Sequence, residues 1–395
     1  MPLPPDATSN RLFSCLDPQD INSYSRTCRD AYRQVELYWN RALCIYRLLS
    51  RFFTEDEAKQ FRGVQASTGT LISGSMALQF FNRVTYLGSD LDLYVERRYC
   101  EPVASFLTRI GYKYEPRGTQ DPLLTTEIFG MADSSRDIDA AYDDVLQNQC
   151  ERGFAGVLNM TRGQWKVQLI AAKRSPMEII LNFHSTVVMN VISHSRAYSL
   201  YPEATFRKSL SLICYQCDGA KSTVPIQKYI RRGWRMINYD GIEYVPSTSA
   251  LQPGEALPGD HEKIFRHAQM RHLGDAYCWT YKLPDVPVTI PPKTLHLPTV
   301  ESGAPRLSGQ EARLLAIQNA LASMLPKSKL SHLPREEVVE GNSWALGKGS
   351  DGFGHMNFTI PRMPRLRYMY CIVPGWKPRK DPKAPFKNNN FTVER

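Results

Sequence analysis

The chain has 395 residues, a formal net charge of +10 and a sequence pI near 9.1, with 42% hydrophobic and 22% charged residues. That length predicts more than one domain. The balance of apolar and charged residues fits a globular protein, and without a run of eighteen apolar residues no membrane-spanning helix is expected. The basic excess favours polyanionic partners. The start, MPLPPDATSN, has no secretion-signal pattern, so the nine scattered cysteines read as reduced thiols of the cytoplasm or nucleus.

Residues 3 to about 50 read as short helices. Leu12, Phe13 and Leu16 cluster, Pro18 interrupts, and Asp17 or Asp20 suits the cap of the next helix. Ile21, Tyr24, Cys28 and Tyr32 recur at three or four, one buried stripe, and Tyr38, Trp39 and Leu43 continue it. The order Leu3-Pro4, Leu16-Asp17-Pro18-Gln19-Asp20-Ile21, Thr27-Cys28-Arg29, Trp39 resembles an F-box. That resemblance implies docking on an adaptor of a ubiquitin ligase. The same residues also fit a plain helical cap on the next domain. The opening departs from the F-box pattern, with Ala7-Thr8-Ser9-Asn10 where acidic and aliphatic residues are usual. Thr54 followed by Glu57 is a capping box, so one helix is expected to end near Phe53 and another to start at Glu55.

Residues 71–95, LISGSMALQFFNRVTYLGSDLDLYV, read as strand, tight turn, helix, turn, strand. Ser73-Gly74-Ser75 is a small-residue turn at which a backbone can approach a ligand closely. Asp90-Leu91-Asp92-Leu93-Tyr94-Val95 alternates, so Asp90 and Asp92 share one face of a strand, about 6.5–7 Å apart. Two carboxylates so placed repel unless a cation lies between them. A hairpin with two solvated aspartates is the plain alternative. A Gly-Ser turn one short helix before such a pair is the arrangement that holds a triphosphate and its magnesium.

On these residues the stretch resembles the opening of the nucleotidyltransferase superfamily of the polymerase beta type. The resemblance implies an α+β fold, a nucleotidyltransferase-like mixed sheet with flanking helices. It implies Asp90 and Asp92 as catalytic carboxylates and Mg2+ ligands. It also implies Ser73, Gly74 and Ser75 as contacts to a nucleoside triphosphate. The chain beyond is similar to a group of fungal proteins that join such a domain to an F-box-like start.

Residues 102–111 carry Val103, Phe106, Leu107 and Ile110 at helical spacing, with Pro102 in the first turn and Gly111 at the end. Residues 115–150 are polar and read as a solvated loop with helical pieces. Their Asp133, Asp137, Asp139, Asp143 and Asp144 are secondary metal-ligand candidates. Residues 154–160 and 165–171 form a hairpin. In the resembled family its second strand carries a third carboxylate. Here Val167 and Leu169 flank Gln168. An amide oxygen can coordinate a metal but cannot take a proton at neutral pH. Gln168 therefore leaves two outcomes open, nucleotidyl transfer or a degenerate pseudoenzyme that only binds.

Glu178, following Ser175-Pro176, is the nearest replacement carboxylate and also fits a capping box. His184 and Asn190 fall in a stretch read as buried and helical. His184 is a candidate contact to phosphate or base, or else a structural histidine. Residues 224–238 are expected to form a helix, with Ile226, Ile230, Trp234 and Ile237 inward. Around it stand Lys228, Arg231, Arg232 and Arg235, cations able to clamp a triphosphate or RNA backbone, or merely solvated. Residues 265–281 are expected to be a second helical segment, with Asp275 structural. Cys214-x-x-Cys217 lacks the second pair of a structural zinc site.

Pro284, Pro287, Pro291, Pro292, Pro298 and Pro305 mark an extended connector. Residues 309–325 are an amphipathic helix, and 341–354 look loop-like without phosphate-loop spacing. Residues 361–395 hold nine Lys or Arg against two acids, interleaved with Tyr368, Tyr370, Trp376 and Phe386. That pattern fits RNA binding through phosphates and stacking, or a solubilising tail. The expected organisation is an F-box-like helical module over 1–50 and a nucleotidyltransferase-like domain over 51–283. A Pro-rich connector with its helix over 284–360 and a basic tail over 361–395 follow. The expected function is binding of a nucleoside triphosphate with Mg2+, with transfer to an acceptor if the site is active. The alternative is an F-box-type substrate receptor whose second domain is non-catalytic.

Overall fold

The computed structural model describes residues 6–132, 153–173, 175–214, 220–246, 251–257, 259–286, 342–348 and 352–359. The chain divides into two units, Met1–Ile360 and Pro361–Arg395. The second, with the basic tail, lies outside the described residues, as do the acid-rich stretch 133–152 and the expected helix 309–325.

Three helices open the chain: α1 (Asp6–Cys15), α2 (Pro18–Ser25) and α3 (Arg29–Ala42). They bury Phe13, Ile21, Val35 and Tyr38 in a small cluster of their own. Arg83 fastens this cluster to the body. Its guanidinium donates to the carbonyls of Phe13 at 3.0 Å and Leu16 at 2.9 Å, and to the Tyr38 hydroxyl at 2.6 Å. Helix α4 (Ile45–Leu49) stops short of the expected limit at Phe53. Helix α5 (Glu55–Thr68) starts with the capping box read from sequence. Thr54 Oγ1 accepts from the Glu57 N–H at 3.3 Å, and Glu57 Oε2 accepts from the Thr54 N–H at 2.8 Å.

The body is a mixed sheet. Its strands are β1 (Leu71–Ile72), β2 (Leu91–Glu96), β3 (Lys113–Glu115), β4 (Phe154–Arg162), β5 (Trp165–Ala172), β6 (Asn190–Ile192), β7 (Arg196–Ser199) and β13 (Trp279–Lys282). They lie in the order β13-β7-β6-β1-β2-β5-β4-β3. β2 and β5 run parallel, and the other neighbours are antiparallel. Strand alternation sorts the two faces. Leu91, Leu93 and Val95 of β2 join Met160, Val167 and Leu169 beneath Phe61 of α5 and Phe106 of helix Cys100–Arg109. Tyr94 points the other way, into Val157, Ile170, Ile180 and Tyr229. Helix α6 (Gly74–Asn82) links β1 to β2 and is buried from Gly74 to Phe81. Met76, Ala77, Leu78, Phe80 and Phe81 supply the apolar surface that keeps it inside.

Several expected elements differ. The helix expected over 224–238 is Ala220–Arg231, followed by a turn at Gly233 (φ +101). The residues beyond it form β9 (Arg235–Ile237) between β8 (Leu210–Leu212) and β10 (Ile242–Pro246), with β11 (Leu251–Ala256) on the far side of β10. Of the segment 265–281 only Phe265 is helical. Helix His261–Phe265 ends at Arg266, which like Ala268 adopts φ +56, and β12 (Arg271–His272) and β13 follow. The supposed loop 341–354 includes β14 (Ser343–Lys348) and the start of β15 (Gly354–Thr359), a hairpin that buries Trp344, Leu346 and Met356. Asn190 opens β6 rather than lying in a helix, because β1 and β7 take up the backbone there. Ser175 precedes helix Pro176–Leu181 without a side-chain cap bond, so the expected capping box is absent. The Glu178 carboxyl group packs instead on Gly153, where a Cβ would come within 2.6 Å of its carbon.

Candidate functional site

Between β1 and α6, Ser73 is the N-cap residue, but its hydroxyl donates to the Asn190 carbonyl at 2.6 Å rather than capping the helix. No side chain of Ser73 thus closes the first turn of α6, where Ser75 is buried, and the positive end of the helix stays open. Gly74 has φ +64, and a Cβ there would stand 2.9 Å from Asp92 Oδ2 and 3.8 Å from the Tyr94 hydroxyl. Glycine is needed twice, for the left-handed backbone and for the room. The pairing of Leu71 with Tyr94 and Ile72 with Leu93 brings Asp92 to this turn. Asp90 lies two residues earlier, just before β2, and its Oδ2 is 3.4 Å from Lys166 Nζ.

The electrostatics single out Asp92. Desolvation, and after it the charge of Asp90, pushes its carboxyl up to about 7 against the pull of Lys228 and Lys166. Part of the side chain keeps contact with solvent, but the protein packed around the carboxylate dominates. Burial, then Asp92, also raises the Tyr94 phenol well above its ordinary value. Lys228 is held below the usual ammonium range by desolvation and by Arg232, while Asp92 and Asp90 raise it. Its charge therefore acts on both carboxylates.

Arg232 lies over the Tyr86 ring at 3.8 Å and the Tyr229 ring at 5.4 Å. Its Nη1 is buried without a hydrogen-bond partner among the described residues, a donor of the kind that takes a phosphate oxygen. Arg231, its neighbour, is exposed. His184 is pushed down to about 3 by burial and by Lys228. Its ring stacks on Tyr229 at 5.7 Å, and Nδ1 lies 2.7 Å from Ser185 Oγ. A neutral imidazole carries no charge, so the cations at this corner are Lys166, Lys228 and Arg232. The sequence reading did not select Lys166. Its signal was the strand alternation, which puts it on the face of Gln168.

Gln168 is the direct neighbour of Asp92 across β2 and β5, and Asn159 is its neighbour across β5 and β4. The three side chains form one polar row. Gln168 Nε2 donates to Asn159 Oδ1 at 3.0 Å. Asn159 is 2% exposed, and its Nδ2 has no partner among the described residues. Glu178 does not complete the acidic pair: among the described residues no three of His, Cys, Asp and Glu come together to hold a metal. Cys214 Sγ donates to the Leu212 carbonyl at 3.6 Å, and Cys217 and the acidic candidates of 133–152 lie outside the described residues. Magnesium is commonly held by one or two carboxylates, waters and substrate phosphates. Asp90 and Asp92 fit one such ion, and the neutral amides beside them add no third anion.

No protein-family model matches the chain, and no curated protein matches it. Two solved structures are similar to part of it. The apo form of a CCA-adding enzyme shares 12% identity over 49% of this chain and 43% of that one, with a TM-score of 0.30. The complex of a CCA-adding enzyme with CTP shares 11% identity over 48% and 42%, with a TM-score of 0.29. The chain thus spans less than half the length of either. Likeness of this size says nothing about activity, which rests on the site itself.

Proposed function

We propose that this corner binds a nucleoside triphosphate with one Mg2+ held by Asp90 and Asp92, in a nucleotidyltransferase-like domain. Phosphate oxygens meet the N–H groups of the first turn of α6, with Gly74 and Ser75 supplying the close approach. Lys228 and Arg232 flank them. The observation that carries the reading is Gly74, whose φ of +64 and missing Cβ leave room against Asp92 Oδ2. In the transfer reaction an acceptor hydroxyl attacks the α-phosphorus and pyrophosphate leaves. Gln168 cannot take the hydroxyl proton, so binding outlasts transfer in this chain.

The test is equilibrium binding of labelled ribonucleoside triphosphates in Mg2+, with pyrophosphate release followed in parallel. Asp90→Ala and Asp92→Ala are each expected to weaken nucleotide binding at least about tenfold. Unchanged binding in both variants would remove the proposal.

A second reading concerns residues 1–50. Leu12, Tyr32 and Leu37 of α1 and α3 are 44%, 58% and 48% exposed beside a separate small core. That surface supports docking to a ubiquitin-ligase adaptor, the receptor alternative. Adaptor capture lost in Leu12→Glu and Leu37→Glu, with the fold retained, supports it. RNA binding by 361–395 rests on charge and aromatic content alone.

A further inference from the structure

We propose that the Lys166 ammonium takes the place of a second divalent cation at the Asp90–Asp92 corner, so that the site binds its nucleotide with a single metal ion. The inference rests on the nucleotide-binding reading above and adds its metal stoichiometry. Sites with two divalent ions hold them about 3.5–4 Å apart and share anionic ligands between them. Three features here work against a second ion.

The position beside Asp92 on β5 is Gln168, a neutral amide. The donation of Gln168 Nε2 to Asn159 Oδ1 at 3.0 Å fixes this side chain, so all it offers a cation is its uncharged Oε1. The orphaned Nδ2 of buried Asn159, one strand further along the row, adds a donor where a cation would need an acceptor. Finally, Lys166 stands two residues before Gln168 on the same face, with Nζ 3.4 Å from Asp90 Oδ2. Its side chain is 27% exposed, so the ammonium can reach a bound anion as well as Asp90.

The strand holds this cation in place. Lys166 pairs with Thr161 across β4 and β5, two residues along the strands from the Asn159–Gln168 pair. Lys166 and Lys228 balance the two carboxylates before any metal arrives. One divalent ion then suffices to join the carboxylates to a triphosphate, and a second would stand against a fixed ammonium.

Titration with Mn2+ and each of the four ribonucleoside triphosphates, read by electron paramagnetic resonance, tests this. The expected wild-type result is one protein-bound Mn2+ per chain with an uncoupled spectrum. Lys166→Arg keeps that count, because it keeps the charge. Lys166→Ala with Gln168→Asp removes the ammonium and supplies the anion, and is expected to bind two ions with a coupled spectrum. Two ions on the wild-type chain, or one on that double variant, overturn the inference while leaving nucleotide binding intact. No nucleotide-dependent Mn2+ binding at all overturns the nucleotide-binding reading itself, and the inference with it. The wild-type count needs no variant to fold.

Discussion

Asp92 and Asp275 are both carboxylates crowded by protein with cations nearby, yet their surroundings differ in kind. Asp275 Oδ2 accepts from Arg271 Nε at 2.5 Å. Its Oδ1 accepts from Arg271 Nη2 at 3.0 Å and from the N–H groups of Tyr277 and Cys278 at 2.9 and 3.0 Å. Burial alone would raise its pKa, but the Arg271 bonds and these donors hold it below the usual carboxylate range. Asp92 has no hydrogen bond among the described residues, and desolvation carries it up to about 7. A saturated carboxylate holds a fold together. An unsaturated one keeps its desolvation cost in the folded protein until a ligand relieves it.

The sharpest way to break the contrast is at Arg271, whose side chain is 2% exposed. Arg271→Ala leaves Asp275 buried and unpaired, and is expected to cost about 3–5 kcal/mol in denaturant unfolding. Because the folded pKa of Asp275 is depressed, its contribution is present above the unfolded carboxylate value and is lost as pH falls through the folded one. The gap between wild type and variant should therefore narrow in acid. A loss under about 1 kcal/mol at neutral pH would show that the pair does not carry structure.

Asp92→Asn should act in the opposite direction. The folded pKa is raised, so the folded chain keeps the proton up to about pH 7 while the unfolded chain releases it near its model value of 3.8. Stability present below the unfolded value is thus lost as pH rises through 7. In ligand-free protein the variant should be more stable than wild type by about 1–3 kcal/mol at pH 8 and indistinguishable at pH 3. Melting curves across that range give the answer, and parallel curves would dissolve the contrast with Asp275. Gly74→Ala should have the smallest effect. The left-handed backbone costs about 1–2 kcal/mol in thermal unfolding, and the methyl group must displace Asp92 Oδ2 from 2.9 Å. If the melt is unchanged, the close approach is not a constraint.

The sequence reading succeeded where one signal was enough. The capping box at Thr54 and Glu57 is local chemistry, and the alternation around Asp92 can be met only by a strand. It failed where an apolar spacing fits two structures. Trp234 and Ile237 match a helix as well as a turn and a strand, and Gly233 with the pairing to β8 and β10 decided for the strand. Trp344 and Leu346 looked like part of a loop because their partners, among them Tyr201 at 3.0 Å from Trp344 Nε1, lie far away in sequence. The same holds at the site. Asp90, Asp92 and Gly74 were legible because they lie within one short unit. Lys228 and Arg232 were candidates by charge, but Lys166 and Tyr229 reach the corner from β5 and from helix Ala220–Arg231, and nothing local assigns those two there.

By itself the sequence determined the strand–turn–helix–strand unit, the glycine in its turn, the acidic pair and the amide where a third carboxylate was expected. These follow from backbone sterics and from period-two alternation, which act over a few residues. Only the tertiary structure decided that Gln168 bonds to Asn159, that Glu178 packs elsewhere, and that a lysine stands 3.4 Å from Asp90. Those outcomes depend on which strands become neighbours and in what register. That choice is made by burying the two faces of the sheet together, and no single stretch of the chain contains it.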